Sequence, residues 1–294
     1  MGWADSAEIR ARQATLEALF FDSMREIDQE GIVAAVATTT STTKESIRLA
    51  WNDLIGGMSE WVADRQLKDL QGRMIVLTPR HWERTVEILK DHLDDDGLGL
   101  AKESMNGLLS IVQADYAIKV AEKLVAGFTD LGWDGKAIFA ADHPIEVDGV
   151  ATTLDNLSDV AVSAAGITEM RLYFRNLRAP DGTRLRVKPD TIVAGPSSEV
   201  ALEALFDSDR LASGASNPNY KRFNYQIIPE IDDTTWMALC TTGPVMPIRL
   251  VTRQTGQLLW NYPYMRNVAQ AGVDARHDAI WTSYQFAWGS TGDA

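Results

Sequence analysis

Asp142-His143-Pro144 is the stretch whose residue types come nearest to chemistry, because an aspartate beside a histidine can orient the imidazole as a general base. Such a base needs a nucleophile to activate. No serine or cysteine nucleophile motif accompanies it, and the Gly-x-Ser-x-Gly elbow is absent. The proline directly after His143 reads instead as a turn that ends a strand. His81, His92, His143 and His277 are the only histidines, none paired four residues apart, and the single cysteine excludes a cysteine zinc site. His92 beside Asp94, Asp95 and Asp96 is the one candidate for holding a metal. That run lacks the glycine and glutamate spacing of an EF-hand and reads better as a solvated turn capping a helix. Gly97-Leu98-Gly99-Leu100 precedes a helix without the lysine or glycine spacing of a phosphate loop. No catalytic residue, cofactor or metal ligand is expected from these positions.

The elements around them are those of a large folded chain. Its 294 residues suffice for one large or two closely joined domains, and 45% are apolar, enough for a well-packed core. No apolar run approaches the roughly 18 residues of a membrane span. The charged, amphipathic first residues lack the pattern of a signal peptide. Cys240 alone cannot form an internal disulfide and fits a reducing cytoplasm. The net charge of −13 argues against tight binding of a nucleic-acid backbone but suits a surface that contains DNA without adhering to it.

Residues 6–29 carry apolar side chains at helical spacing, among them Ile9, Leu16, Leu19, Phe20, Met24 and Ile27. The Ser/Thr-rich stretch 38–46 follows as an extended arm or linker. Residues 58–90 read as a long hairpin, with strand-like ends near 59–62 and 84–89 and a polar middle that turns at Gln71-Gly72. Neither segment has much core of its own, so both need a partner surface. From Ala101 to Phe128, apolar residues at intervals of three and four predict a helix of about 40 Å. Strands are expected at 136–139, 191–194, 223–231, 235–241, 246–253 and 279–288, and helices at 157–176 and 197–206, the latter with a serine N-cap. Asp148-Gly149 and Ala179-Pro180-Asp181-Gly182 are turn signals. Nine tryptophans suggest large apolar area that partly meets partners.

The order of several short motifs is more specific than any of them alone. Trp61 stands with Arg65. Trp82-Glu83-Arg84-Thr85-Val86, the acidic turn at 94–98, Ala126-Gly127-Phe128 and residues 141–144 follow in sequence. Looser matches lie at 187–189, 214–218, Trp236 and 284–289. In this order and spacing the chain resembles the major head subunit family of Mu-like tailed phages, from about Trp51 to the end and best over 59–145.

That resemblance implies an α+β chain with the HK-ninety-seven-like capsid fold. Its expected parts are an N-terminal arm (1–48), an extended β-hairpin loop (49–90), a peripheral domain (91–189) with a spine helix (101–128), an axial domain (190–270) and a C-terminal strand (271–294) returning to the peripheral domain. It implies a shell subunit, not an enzyme, that assembles into hexamers and pentamers around packaged double-stranded DNA. Inter-subunit contacts are expected at Leu16 and Phe20 of the arm and at Trp61, Arg65, Lys68, Arg73 and Trp82 of the loop. Some capsids of this fold crosslink through a lysine near the loop tip, but no partner residue for Lys68 is apparent and a solvated lysine is the expectation. A separate scaffold protein, a portal at one vertex and a decoration protein are the implied partners, with no membrane. The alternatives are an encapsulin-like cargo compartment and a hydrolase centred on Asp142 and His143.

Overall fold

The computed structural model describes residues 14–15, 17–18, 31–50, 74–89, 99–211, 213–231, 234–242, 246–263 and 266–293. Ala14, Thr15, Glu17 and Ala18 are helical, in keeping with the helix expected over 6–29, most of which lies outside the described residues. In chain order the elements are α1 (Ile32–Val36), β1 (Ala37–Ser41), β2 (Ile47–Ala50), β3 (Met74–Leu77), β4 (Arg80–Leu89) and the long helix α2 (Gly99–Val125). Then come β5 (His143–Val147), β6 (Val150–Leu154), β7 (Leu157–Ser158), α3 (Ala164–Asn176), β8 (Thr191–Ala194) and α4 (Glu199–Phe206). The chain ends with β9 (Asn224–Ile227), β10 (Trp236–Leu239), β11 (Ile248–Asn261), β12 (Val268–Trp281) and β13 (Ala287–Ser290).

Helix α2 organises the larger core. Leu108, Val112, Tyr116, Val120 and Leu124 recur every four residues and are all buried, giving the single apolar stripe that the sequence predicts. The stripe packs on a four-stranded sheet in the order β1-β11-β12-β4. Along β12, Ala269, Ala271 and Val273 alternate toward the same core. Small residues there let a long helix lie close to the sheet. Val125, expected on the stripe, is exposed, because in a regular helix it lies about 100° round from its buried neighbour Leu124.

The second sheet runs β7-β13-β10-β8-β9 and is buried on both faces. Ile192, Ala194, Trp236 and Ala238 pack under α3 and α4, through Ile167, Met170 and Phe174 of α3 and Leu202 and Phe206 of α4. Val193, Met237 and Leu239 point the other way into the core beneath α2. Period-two alternation with apolar residues on both sides is what a central sheet requires.

Two features of the chain path cut across the ranges expected from the resemblance. β11 and β12 share a sheet with β1 and β4, not with β8–β10, because the alternating small residues of β12 need the helix α2 as cover. Within the segment 271–294, β12 pairs in the sheet beside α2 while β13 pairs with β10 and β7. The strand expected at 279–288 is therefore broken at 282–286, and Tyr284 and Phe286 enter different cores. β11, 14 residues long, runs beyond the expected 246–253, since bulges between Thr252 and Gln257 interrupt the alternation that a sequence pattern relies on, and most of β12, expected only from 279, lies before that position.

Other local expectations shift for identifiable reasons. The strand expected at 136–139 is a loop with one bridge, Leu131 to Ala137; Ile138 and Phe139 are apolar because they plug the core. His143-Pro144 begins a strand instead of ending one, and the proline sits in a two-stranded ladder that leaves one edge of β5 without a partner to supply. The Asp148-Gly149 turn forms as expected, with φ of 53° and 75°. Helix α3 starts at Ala164, not 157, where the Ser163 hydroxyl accepts from the Gly166 amide. Residues 157–158 are used in β7 instead. Helix α4 follows a 3-10 turn at Pro196–Ser198, and Ser198 at its N-cap makes no side-chain capping bond. Its other end is closed by Asn217, whose amide donates to the Leu205 and Ser208 carbonyls at 2.9 Å.

Asp190 ties the entry of β8 to the exit of β10. Its carboxylate accepts from the Thr241 amide at 3.0 Å, the Thr241 hydroxyl at 2.7 Å, the Thr242 amide at 2.7 Å and the Thr191 hydroxyl at 3.0 Å. Burial pushes the carboxyl upward, but the hydrogen bonds from Thr242 and Thr241 outweigh it and hold it below the ordinary range. Because the folded state prefers the ionised form, this stabilisation is full above the unfolded value near 4 and disappears as pH falls through the lower, folded value. Asp190→Ala is expected to cost about 1–2 kcal/mol at neutral pH, given the partial exposure, and to unfold with a shallower loss of stability below about pH 4. Urea titrations at pH 7 and pH 3 check both statements; an unchanged pH dependence would contradict them.

Candidate functional site

Asp142 and His143 do not form the pair that acid–base chemistry would use. Asp142 faces solvent and pairs with Lys136, whose hydrogen bond, ahead of other influences, holds its carboxyl below the ordinary range. His143 is fully buried. Its Nδ1 lies 2.6 Å from the Asp134 carboxylate and its Nε2 lies 3.2 Å from the Ile138 carbonyl. The ring stacks on Tyr284 at 3.8 Å between centroids, with planes 6° apart. Both nitrogens face acceptors and the ring has no exposure, so the imidazole presents no free lone pair to a substrate. The hydrolase arrangement considered above does not form. Asp134 was not singled out from the sequence; it sits nine residues upstream in a turn, where an aspartate is unremarkable.

The site that does form is a buried junction where the two sheets meet the end of α2. Asn156 is its centre and has no solvent exposure. Its side-chain amide donates to the carbonyls of Ile138 at 2.9 Å, Tyr284 at 3.2 Å and Ala287 at 3.3 Å, while its oxygen accepts from the Ala140 amide at 2.9 Å. The backbone adds Asn156 N–H to Ala140 O and Gly289 N–H to Asn156 O. One side chain thus joins the loop after α2, the turn before β13 and the start of β7. Beside it the Phe139 ring slots between Gly127 and Gly289. A methyl group on Gly127 would stand 2.7 Å from the ring, and one on Gly289 also 2.7 Å. Trp281 meets the ring edge-on at 5.5 Å and donates its indole N–H to the Lys123 carbonyl at 2.7 Å. The motifs at 126–128, 141–144 and 284–289 that carry the family resemblance all converge here. Asn156 itself was missed, since an asparagine after Leu154-Asp155 reads as an ordinary loop residue.

A second set of contacts fastens α2 to β4 and β12. His277, buried, reaches Asp115 of α2 at 2.7 Å and lies against Tyr116 at 4.4 Å. Trp82 donates its indole N–H to the His277 carbonyl at 2.9 Å, and the Lys119 ammonium sits 3.9 Å from the centre of its ring. Arg80 pairs with the buried Asp278 at 2.9 Å. Trp82, expected at an inter-subunit contact, is thus held partly within its own chain.

The other expected contact residues, Leu16, Phe20, Trp61, Arg65, Lys68 and Arg73, lie outside the described residues, as do His92 and the acidic turn 94–96. What is described is the base of the loop. β2 pairs antiparallel with β3 from Ile47–Leu77 to Ala50–Met74, so these two strands bracket residues 51–73. The second strand-like end, 84–89, pairs with β12 and belongs to the main sheet, where its apolar residues Val86 and Ile88 find a core. Met74 and Val76 on the base are 60% and 59% exposed. Trp236, Trp281 and Trp288 are core residues. Among the described residues no group of three or more His, Cys, Asp or Glu side chains is placed to hold a metal, and no helix is long and apolar enough to cross a membrane.

A long helix on a sheet that ends in a 14-residue hairpin, a loop base projecting from it and a second, helix-covered sheet define the fold of tailed-phage capsid subunits. The procapsid subunit of bacteriophage JBD30 superposes with a TM-score of 0.59 at 20% identity, covering 96% of this chain and 75% of that one. The capsid subunit of an empty GTA particle gives 0.57 at 12% identity, covering 90% and 93%. Residues 10–165 match the family described as Mu-like prophage major head subunit gpT, and the chain belongs to that family. The Mu-like prophage FluMu major head subunit of Haemophilus influenzae is 27% identical over 139 residues, which are 47% of this chain and 45% of the relative's own length.

Proposed function

We propose that this chain is the major capsid subunit of a tailed phage, prophage or gene transfer agent, assembling as hexamers and pentamers into an icosahedral shell around double-stranded DNA. The observation that carries this reading is the family match over 10–165, on a chain of which a phage procapsid subunit's structure covers 96%. In this reading residues 1–48, apart from β1, act as the arm, and 49–90 as the extended loop, whose last strand β4 is built into the main sheet. α2 with the four-stranded sheet is the peripheral unit, and the five-stranded sheet with α3 and α4 is the axial unit. The final segment, 271–294, then serves both, through β12 and β13. Free energy for assembly comes from apolar area at the arm and loop, with polar complementarity at the rim. The net charge of −13 lets the enclosed DNA slide without adhering. A separate scaffold protein, a portal at one vertex and a decoration protein are the expected partners, and the subunit resides in the virion after assembly in the host cytoplasm. Family membership favours this over a cargo compartment.

The loop provides the test. Because Ala50 lies opposite Met74, a two-residue turn can replace residues 51–73 without disturbing the ladder. The shortened chain is expected to unfold as cooperatively as the wild type while forming no closed shells, as read by circular dichroism and electron microscopy. Normal shells from the shortened chain would contradict the role given to the loop.

A further inference from the structure

The axial unit carries two charged faces of opposite sign that make no ion pair among the described residues. Residues 171–188 hold six basic side chains against one acid, Asp181, within a chain of net charge −13. The segment folds so that these gather. Arg175 follows Arg171 by one turn of α3, Arg178 and Arg184 are direct bridge partners, and Arg184, Arg186 and Lys188 are exposed at alternate positions while Leu185 and Val187 pack inward. Arg171 feels its own burial and then the charges of Arg222 and Arg175, which together hold its guanidinium below the ordinary value. Among the described residues none of Arg171, Arg175, Arg184, Arg186 and Lys188 is in an ion pair. Leu172, beside Arg171 and three residues before Arg175, is 52% exposed.

Helix α4 carries the counterpart. Glu199, Glu203 and Asp207 stand at intervals of four along one exposed side, again without an ion pair among the described residues. Tyr225 registers all three. Its hydroxyl donates to Asp207 at 2.6 Å, and that bond, burial and the charges of Asp207, Glu203 and Glu199 push the phenol up to about 12. Val200, beside Glu199 and one turn before Glu203, is 77% exposed. Each face thus has one exposed aliphatic residue near like charges that make no ion pair among the described residues.

We infer that these are the two halves of one head-to-tail interface, in which the basic face around Leu172 of one subunit receives the acidic face around Val200 of the next. Two different patches on one chain make a heterologous contact, and such contacts close into rings when the rotation allows. The inference rests on the shell-subunit reading and names the surfaces that set the order of chains around a capsomer. Like-signed faces repel, so a subunit presented the wrong way round is rejected. The acidic face on the same chain favours a second copy over nucleic acid as the occupant of the basic one.

Charge reversal with rescue tests it in the full-length chain. Arg175→Glu with Arg184→Glu, and separately Glu199→Lys with Glu203→Lys, are each expected to lower the yield of capsomers or shells at least tenfold. The combined fourfold variant is expected to recover to within about threefold of wild type. All four substituted positions are exposed, and thermal unfolding of each variant reports whether it folds. Should a reversed variant not fold, the neutral pair Arg175→Gln and Glu203→Gln is read instead, with a flattened salt dependence of assembly expected and an unchanged one overturning the inference. Reversed variants that assemble like wild type, or a fourfold variant no better than either half, overturn it. So does a basic-face variant that assembles normally but loses retention of duplex DNA. In those cases wild-type shells leave the shell reading intact, whereas a wild-type chain that forms no capsomer removes both.

Discussion

Asn156→Ala is expected to unfold at markedly lower urea concentration than wild type, with a loss of about 3–5 kcal/mol. The side chain satisfies three buried carbonyls and one amide from two separate segments, 138–140 and 284–287. Truncation leaves the Tyr284 and Ala287 carbonyls and the Ala140 amide without this partner in a place water does not reach, and each such group costs about 1–3 kcal/mol. Ile138 O keeps its contact with His143, which moderates the total. Asn156→Asp, nearly identical in shape, is expected to be no better, because a carboxylate oxygen would then face carbonyl oxygens. Asn176→Ala, on the exposed end of α3, serves as the control and is expected to lie within about 0.5 kcal/mol of wild type. Tryptophan fluorescence of the unassembled subunit measures all three. A loss at Asn156 no larger than at Asn176 would show that the junction does not hold the sheets together.

Gly289→Ala is expected to destabilise by about 2–3 kcal/mol through overpacking. Its new methyl carbon would stand 2.7 Å from Cγ and 2.8 Å from Cδ1 of Phe139, the base of a ring, not the end of a flexible chain. Retreat is limited, since even a methyl group's width is missing between the ring's opposite edge and Gly127, and Trp281 closes the third side. The cost arises from space, as Gly289 has no positive φ. Phe139→Leu should therefore partly rescue Gly289→Ala while being destabilising alone by about 1–3 kcal/mol. The double-mutant cycle measured by urea unfolding decides it. Strict additivity would mean that the alanine is absorbed elsewhere and that the ring is not pinned.

What could be read from the residues followed from how local each signal was. Helix α2 is legible because its apolar stripe repeats from Leu108 to Leu124, and β8 because three apolar residues follow Thr191 between clear breaks. The Asp148-Gly149 and Asp181-Gly182 turns need only the backbone freedom of one or two residues. The β11–β12 hairpin was not legible. Its bulges break the alternation, and its pairing with β1, some 210 residues upstream in a parallel register, leaves no local trace. The break between β12 and β13 was hidden for the opposite reason. Ile280, Thr282, Tyr284, Phe286 and Trp288 alternate like a strand, yet Tyr284 stacks on His143 while Phe286 packs beneath α3. The junction was visible only as scattered family motifs. No pattern in the chain announces that Gly127, Phe139, Asn156 and Gly289 meet, because each is chosen by what lies opposite it in space. Asp142-His143, the most reactive-looking pair in the sequence, is split between solvent and core for the same reason: alternate residues entering β5 point to opposite sides.

Direct imaging of the purified chain by negative-stain electron microscopy, with size-exclusion chromatography and light scattering on the same sample, tests the central claim. The account predicts capsomers, tubes or closed shells, with scattering masses at multiples of five or six subunits or far above. A chain that stays a dispersed monomer at high concentration would contradict it.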